Sequence, residues 1–279
     1  MKTLKGIITV IRPEDGMLGS VGVYVGWVVA NQSLISTGLL PVILASISTF
    51  LLVGVLNILN DLGDVDIDKL IHSKRALASG GLSRGFSKYY LIGLLLSSAA
   101  SAILAALIAG TMLLPIIFFT GLLLGLMYEI RFKKRGFSGN VTIAVLLFFP
   151  FLMGASIVGI TETVIILCLM AFVTGMAKEI INDVKDAEGD HGHRRTLPHT
   201  LGIKPSLLFA IFFLVLTILI SAIPVLLEGL MVTYLVFIGI ADLLLVSVMI
   251  LSFYRPVAAH RLHSLGMVVS IPAFLSLSF

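Results

Sequence analysis

Roughly nine stretches of this chain are apolar for close to 20 consecutive residues, the length a helix needs to cross ~30 Å of hydrocarbon. They fall at 17–37, 39–59, 89–109, 112–128, 138–158, 163–181, 206–227, 230–252 and 263–279. Inside a bilayer no water satisfies exposed backbone groups, so a spanning chain is helical or a closed barrel. Barrel strands alternate polar and apolar residues over about ten positions. Runs such as LIGLLLSSAASAILAALIAG and LLFAIFFLVLTILISAIPVLL do not alternate. The expected fold is therefore all-α: a polytopic membrane protein, a bundle of nine transmembrane helices around a central cavity, with residues 1–279 as a single domain. A mean hydropathy of +1.11 with 12% charged residues lies well outside the range of water-soluble chains.

The basic residues test that layout. With nine crossings all 19 Lys and Arg fall on one face, from Lys2, Lys5 and Arg12 at the start to Arg255 and Arg261 near the end. The positive-inside rule makes that face cytoplasmic. The amino terminus and the long loops are then expected in the cytoplasm and the carboxyl terminus outside. No cleavable signal peptide is read, because the first apolar run is full length and no small-residue cleavage site follows it. Cys168 lies inside the sixth run with no second cysteine to pair with, and is read as packing. No segment outside the membrane is long enough for a nucleic-acid recognition module. The excess of basic charge favours anionic lipid headgroups or a phosphorylated substrate.

One word, Asn-Asp-x-x-Asp-x-x-x-Asp, is spelled twice: NDLGDVDID at 60–68 and NDVKDAEGD at 182–190. Six of the chain's 15 acidic residues are spent on it. On a helix, offsets of 0, 3 and 7 bring the aspartates to one stripe. Carboxylates so crowded repel one another unless a cation sits among them. Asp61, Asp64, Asp68, Asp183, Asp186 and Asp190 are thus candidate metal ligands. Asn60 and Asn182 share a face with them at i, i+4 and i+8, and are read as ligand or phosphate contacts in preference to helix caps. Asp66 and Glu188 lie off the stripe, where a solvated role is at least as good.

Each word begins at the cytoplasmic end of a crossing and runs into base: HSKRALASGGLSRG after the first, HGHRRTLPHTLG after the second. Oxygen ligands on helix ends suit Mg²⁺, which binds through one or two carboxylates plus substrate phosphate oxygens. Lys74, Arg75, Arg84, Arg194 and Arg195 are available for the remaining phosphate charge. The implied ligand is a diphosphate at the membrane surface with an apolar tail among the helices, as in a polyprenyl diphosphate.

These features resemble the UbiA-type intramembrane prenyltransferases over the whole chain. In that family two aspartate-rich motifs follow the second and sixth of nine helices. Arg75, Ser79 and Gly80 resemble the residues that follow the first motif, and Arg195, Thr196, Leu197 and Pro198 the tail of the second. Ser73, Ala76 and Ala78 stand where prolines are common. Tyr128 and Lys133, leading into Gly136, Gly139 and Asn140, resemble the family's tyrosine and lysine segment, with Arg131 and Lys134 competing for the lysine's part. Arg12 and Pro13 resemble its amino-terminal Arg-Pro.

The resemblance implies Mg²⁺-dependent catalysis by Asp64, Asp68, Asp183, Asp186, Tyr128 and Lys133, with the diphosphate held by Asn60, Lys74, Arg75, Arg84, Lys133, Asn182, Arg194 and Arg195. It implies transfer of a geranylgeranyl group from geranylgeranyl diphosphate to the free hydroxyl of geranylgeranylglyceryl phosphate, a phosphorylated archaeal lipid precursor. Aromatic acceptors are the alternative within the family. A divalent-cation transporter using the same carboxylates is the alternative outside it.

Other residues carry weaker signals. Phe118, Phe119, Phe148, Phe149 and Phe151 could line a prenyl tunnel, against a default of lipid-facing packing. His72, His191, His193 and His199 lack the partners of a zinc site and are read as solvated. Asp242, in the middle of the eighth run, is a functional candidate by position, but with no basic partner in any run it is treated as a protonated or hydrogen-bonded structural residue.

Overall fold

The computed structural model describes residues 2–35, 38–71, 73–133, 135–187, 196–229 and 231–278, and these are helices joined by turns. A short α1 (Lys2–Val10) leads into α2 (Pro13–Asn31), α3 (Leu39–Ile71), α4 (Arg84–Ala109) and α5 (Leu113–Met127). A π-helical turn, Tyr128–Phe132, extends α5 before α6 (Phe137–Ala155), α7 (Glu162–Asp186) and the brief α8 (Leu197–Leu201). α9 (Ile203–Ser221) continues as α10 (Ile223–Glu228). Last come α11 (Val232–Leu251) and α12 (Pro256–Val269), which continues as α13 (Ile271–Ser276).

Among the described residues 7 helices are long and apolar enough to cross a bilayer. They are α3, α4, α5 with its π turn, α6, α7, α9 with α10, and α11. α2 and the α12–α13 pair occupy the places of the expected first and ninth crossings but fall short of that standard. Glu14 and Asp15 charge the first turn of α2, and the last pair is interrupted at Ser270, ahead of Pro272.

Several boundaries differ from expectation for one reason. Hydropathy detects the part of a helix that sits in hydrocarbon, whereas backbone hydrogen bonding continues into water wherever side chains support it. α3 was expected to end near 59 and runs to Ile71. Its 33 residues span ~50 Å at 1.5 Å per residue, well beyond the hydrocarbon layer. The first aspartate word therefore stands on a helix, not in a loop. α7 likewise runs through Asp186 instead of stopping near 181, and α12 starts at Pro256 instead of 263.

The helices close a ring. α3 packs on α2 and α4, α4 on α5, α5 on α6, α6 on α7, α7 on α9 and α12, α11 on α9 and α12, and α13 returns to α2. α2 also lies directly on α6. Lipid tails are as apolar as leucine, so close packing and interhelical hydrogen bonds hold such a bundle together. A side chain on Gly154 of α6 would overlap the Val23 carbonyl of α2, and one on Gly26 of α2 would overlap the Phe151 carbonyl of α6. Between α3 and α4 the hydroxyls of Ser48 and Ser98, both fully buried, donate to each other's carbonyls at 2.9 and 2.7 Å.

Replacing Gly154 with leucine must separate α2 from α6. The cost is expected at or above the upper end of the ~1–3 kcal/mol typical of overpacking. Thermal unfolding in detergent should show a clearly lowered midpoint, and an unchanged midpoint would refute the direct backbone contact.

Candidate active site

The stripe predicted for the first word is present on α3. Asp61 and Asp68 are almost fully buried, Asp64 is partly so, and Asp66 points away with 75% of its side chain exposed. Asn57, one turn before Asp61, extends the same stripe. Each carboxylate on it meets a cation from a different part of the chain. Arg12, just before α2, donates to Asp61 at 2.6 Å and to Asn57 Oδ1 at 3.3 Å. Arg75, in the loop after α3, donates from one nitrogen to both Asp68 oxygens at 2.8 Å and lies 3.7 Å from Asp61. Lys133, just past the π turn, reaches Asp64 at 2.7 Å and Glu129 at 2.8 Å. Glu129 also accepts from Asn60 Nδ2 at 3.1 Å.

Two local devices aim these cations. Arg12 has φ of +48°, a conformation disfavoured for a non-glycine residue, and Pro13 then starts α2. Its partners Asn57 and Asp61 hold it there, and Asn57 Nδ2 also donates to the Ile11 carbonyl at 3.1 Å. The π turn shifts the register after Met127: the Lys133 amide bonds the Tyr128 carbonyl at 2.8 Å, five residues back. Such turns are frequent at functional sites. Here it leaves Lys133 buried and Arg131 exposed. Lys134 lies outside the described residues. The Arg75 loop lacks prolines but is tied by its own backbone, with Ser79 N–H to Arg75 O at 2.9 Å and Leu82 N–H to Ala76 O at 3.1 Å.

The second word ends α7. Asp183 accepts from Asn140 of α6 at 2.9 Å. Asn182 Oδ1 accepts from Lys185 at 2.6 Å, and Lys185 lies 3.5 Å from the exposed Asp186. Asp190, Arg194 and Arg195, together with Glu188, His191 and His193, lie outside the described residues, as does His72. His199 shares a hydrogen bond with Thr196 at 2.7 Å. Two expected diphosphate contacts are not drawn into the cluster. Arg84 pairs with Asp66 at 3.0 Å on the exposed side of α3, and Lys74 is exposed. Their spacing made them available, but helix phase turned one away and the loop's path left the other in solvent.

One cavity of ≈ 550 Å³ is bordered by Asn60 of the first word and, on α7, by Lys178 and Glu179, one turn before Asn182 and Asp183. Its polar wall includes Arg12, Asn57, Asn60, Tyr128, Glu129 and Lys178. The rest is mainly apolar and follows α7 from Lys178 down to Leu167, about 16 Å of helix. Phe118, Phe149 and Phe151 line it. Phe119 instead turns outward, and Phe148 packs among the buried residues around Cys168 while stacking on Phe149. Asp242 also lines the cavity and accepts from Ser221 Oγ at 2.9 Å, the partner that the sequence left open.

Glu129, Asn57, Lys178 and Glu179 are site residues not anticipated from sequence, and Asn140 was named only through the tyrosine and lysine segment that it ends. Asn57 carried a signal, one turn ahead of Asp61 on the same stripe. Asn140 carried none as a partner of Asp183, because that pairing depends on how α6 meets α7.

The chain belongs to the UbiA prenyltransferase family. The family model matches residues 20–276. Digeranylgeranylglyceryl phosphate synthase from Thermococcus kodakarensis is 31% identical over 282 residues, covering 97% of each chain. The synthase of the same description from Methanothermobacter thermautotrophicus is 31% identical over 215 residues, 77% of this chain and 73% of that one. Among solved structures, one described as giving insight into digeranylgeranylglyceryl phosphate synthase in membranes superposes with a TM-score of 0.79 at 26% identity, covering 100% of this chain and 99% of that one. A UbiA homologue from Archaeoglobus fulgidus bound to GPP and Mg²⁺ shares the fold, with a TM-score of 0.70 at 20% identity over 98% of this chain and 100% of that one. The protein is accordingly a multi-pass membrane prenyltransferase.

Among the described residues, removing Arg12 leaves Asp61 with the 3.7 Å approach of Arg75 as its one ion pair. Arg12→Ala is expected to cost on the order of 3 kcal/mol of stability, the scale for breaking a buried pair from one side. Adding Asp61→Asn should recover part of that loss. Thermal unfolding of the two single variants and the double variant measures the coupling, and strictly additive losses would contradict the pair.

Proposed function

We propose that this prenyltransferase moves a geranylgeranyl group from geranylgeranyl diphosphate to the free hydroxyl of geranylgeranylglyceryl phosphate. The observation that carries the reading is one cavity, apolar and aromatic along its length, whose polar end is walled by residues of, or one turn from, both aspartate words. Its ≈ 550 Å³ falls within the ~300–1,000 Å³ of sites that bury a sizeable ligand. Support for the acceptor comes from the relatives, several of which are described as digeranylgeranylglyceryl phosphate synthase at 28–34% identity. Orientation follows the charges: the amino terminus and the site loops cytoplasmic, the carboxyl terminus outside.

The donor set fits Mg²⁺ by its chemistry. Among the described residues no three His, Cys, Asp or Glu side chains converge as an ion cage. Mg²⁺ does not need one, since it is held by one or two carboxylates together with phosphate oxygens and water. Asp61, Asp64 and Asp68 on α3 and Asp183 and Asp186 on α7, with Asp190 beyond them, would hold it. It would neutralise charge on the departing diphosphate.

The chain's own residues do the rest. Lys133 sits between two carboxylates and can exchange one of them for a phosphate oxygen while the other retains it. Arg75 stands at the same rim for the same task. The prenyl chain lies along the cavity with water excluded. As the carbon–oxygen bond to diphosphate breaks, its electron pair leaves with the diphosphate, and the allylic carbon left electron-poor is faced by a wall containing Phe118, Phe149 and Phe151. The acceptor oxygen then bonds that carbon and releases its proton.

Purified protein in detergent should transfer labelled geranylgeranyl to geranylgeranylglyceryl phosphate and lose that activity on addition of EDTA, with recovery on excess Mg²⁺. Product made equally well without divalent metal would refute the metal assignment. Asp64→Asn and Asp186→Asn should each lower kcat by at least ~100-fold, the scale for removing one electrostatic group from a transition state, with little change in melting temperature. Near-normal turnover in both would remove the carboxylates from the mechanism. A parallel panel with 4-hydroxybenzoate and a naphthoate tests the acceptor, and preference for either would replace the lipid by an aromatic ring.

A further inference from the structure

Two cations line the cavity among the described residues, Arg12 and Lys178. Arg12 is neutralised by Asp61. Lys178, half-buried, makes no salt bridge and no hydrogen bond among the described residues. It sits on the stripe Leu167, Ala171, Thr174, Lys178 and Asn182, spaced four, three, four and four residues apart, so it faces the cavity one turn inside the second word. A partly buried ammonium is costly unless an anion meets it. Lys185, on the same helix, does not compete for that anion, being tied to Asn182 and Asp186. The carboxylates nearby are Glu179, which follows Lys178 in sequence and also lines the cavity, Asp183, which accepts from Asn140, and Asp186, exposed beside Lys185; none of them forms an ion pair with Lys178 among the described residues.

We infer that Lys178 is the binding site for the phosphate monoester of the lipid acceptor. This rests on the function proposed above and adds the acceptor half of the site. The cations committed to the first word, Arg12, Arg75 and Lys133, all meet α3, which packs with α2 and α4. Lys178 approaches from α7, which packs with α6, α9 and α12. A reaction between two phosphorylated lipids needs two anion sites that share one reaction space, and the cavity provides a wall for each. Glycerol's three contiguous carbons carry the ether, the hydroxyl and the phosphate, so an acceptor anchored here keeps its free oxygen within a few bonds of Lys178, on the side where α7 faces the donor site.

The test compares geranylgeranylglyceryl phosphate with the same alcohol lacking phosphate, using the full-length protein in detergent with geranylgeranyl diphosphate and Mg²⁺. For Lys178→Gln and Lys178→Met the preference for the phosphorylated acceptor, as a ratio of kcat/KM values, should fall roughly 10- to 100-fold, the loss expected for one charge-assisted hydrogen bond. Donor KM should stay close to wild type, which also shows that the variants are folded, and Lys178→Arg should recover part of the preference. A raised donor KM with the preference intact would overturn the inference and move Lys178 to the diphosphate. Equal losses with both acceptors would overturn it too. If wild type itself ignores glyceryl phosphate and uses an aromatic acceptor, the functional reading falls along with the inference. A preference that survives in active Lys178 variants sinks the inference alone.

Discussion

Three carboxylates on one stripe at the end of a membrane helix repel one another and resist burial, and the cytoplasmic side of this protein is arranged around meeting them. Arg12, Arg75 and Lys133 come from before α2, after α3 and after the π turn, and each reaches its own aspartate at 2.6–2.8 Å. Attraction at that range in a partly desolvated site is strong enough to order the segments that supply the cations. It also accounts for the unusual backbone of Arg12 and for placing Lys133 inside while Arg131 stays out. A site neutralised this way is prepared for ligand exchange, because an arriving anion and cation can each take a partner already held in position.

The apolar half of the site depends on a different constraint. In hydrocarbon there is little hydrophobic gain from helix contact, so helices approach where small residues allow it. Gly26 and Gly154 bring α2 and α6 into backbone contact, and that contact carries Phe151, and beside it Phe149, to the cavity wall. Several polar residues of the interior are paired: Ser48 with Ser98, Asp242 with Ser221, and His263 Nε2 with Thr174 at 2.9 Å. An ammonium such as Lys178, which faces the cavity with no salt bridge or hydrogen bond among the described residues, is a place for substrate charge.

Much of the architecture was readable in advance because it depends on short-range periodicity. The apolar runs mark helices through their length, and aspartates at offsets 0, 3 and 7 share a stripe on any α-helix, so Asp66 could be set apart from Asp61, Asp64 and Asp68 before any coordinates. Helix ends were less readable. α3 outlasts its apolar run by twelve residues, from 59 to Ile71, because pairs with Arg12, Arg75 and Lys133 support it where hydrocarbon does not. The pairings of Asn140 and Glu129 were invisible for a related reason. Their partners, Asp183 and Asn60, lie 43 and 69 positions away in the chain.

The sequence by itself determined the solvent, the helical class, the two acidic words and the family they belong to. Each of these follows from composition and from spacings of fewer than ten residues. Tertiary structure alone decided which cation meets which carboxylate, that Arg84 is spent on Asp66 at the surface, that Phe119 and Phe148 turn away from the cavity, and that Lys178 faces it. Electrostatic pairing acts through space over a few ångströms, and the distances that govern it are set by how helices pack, which local periodicity does not encode.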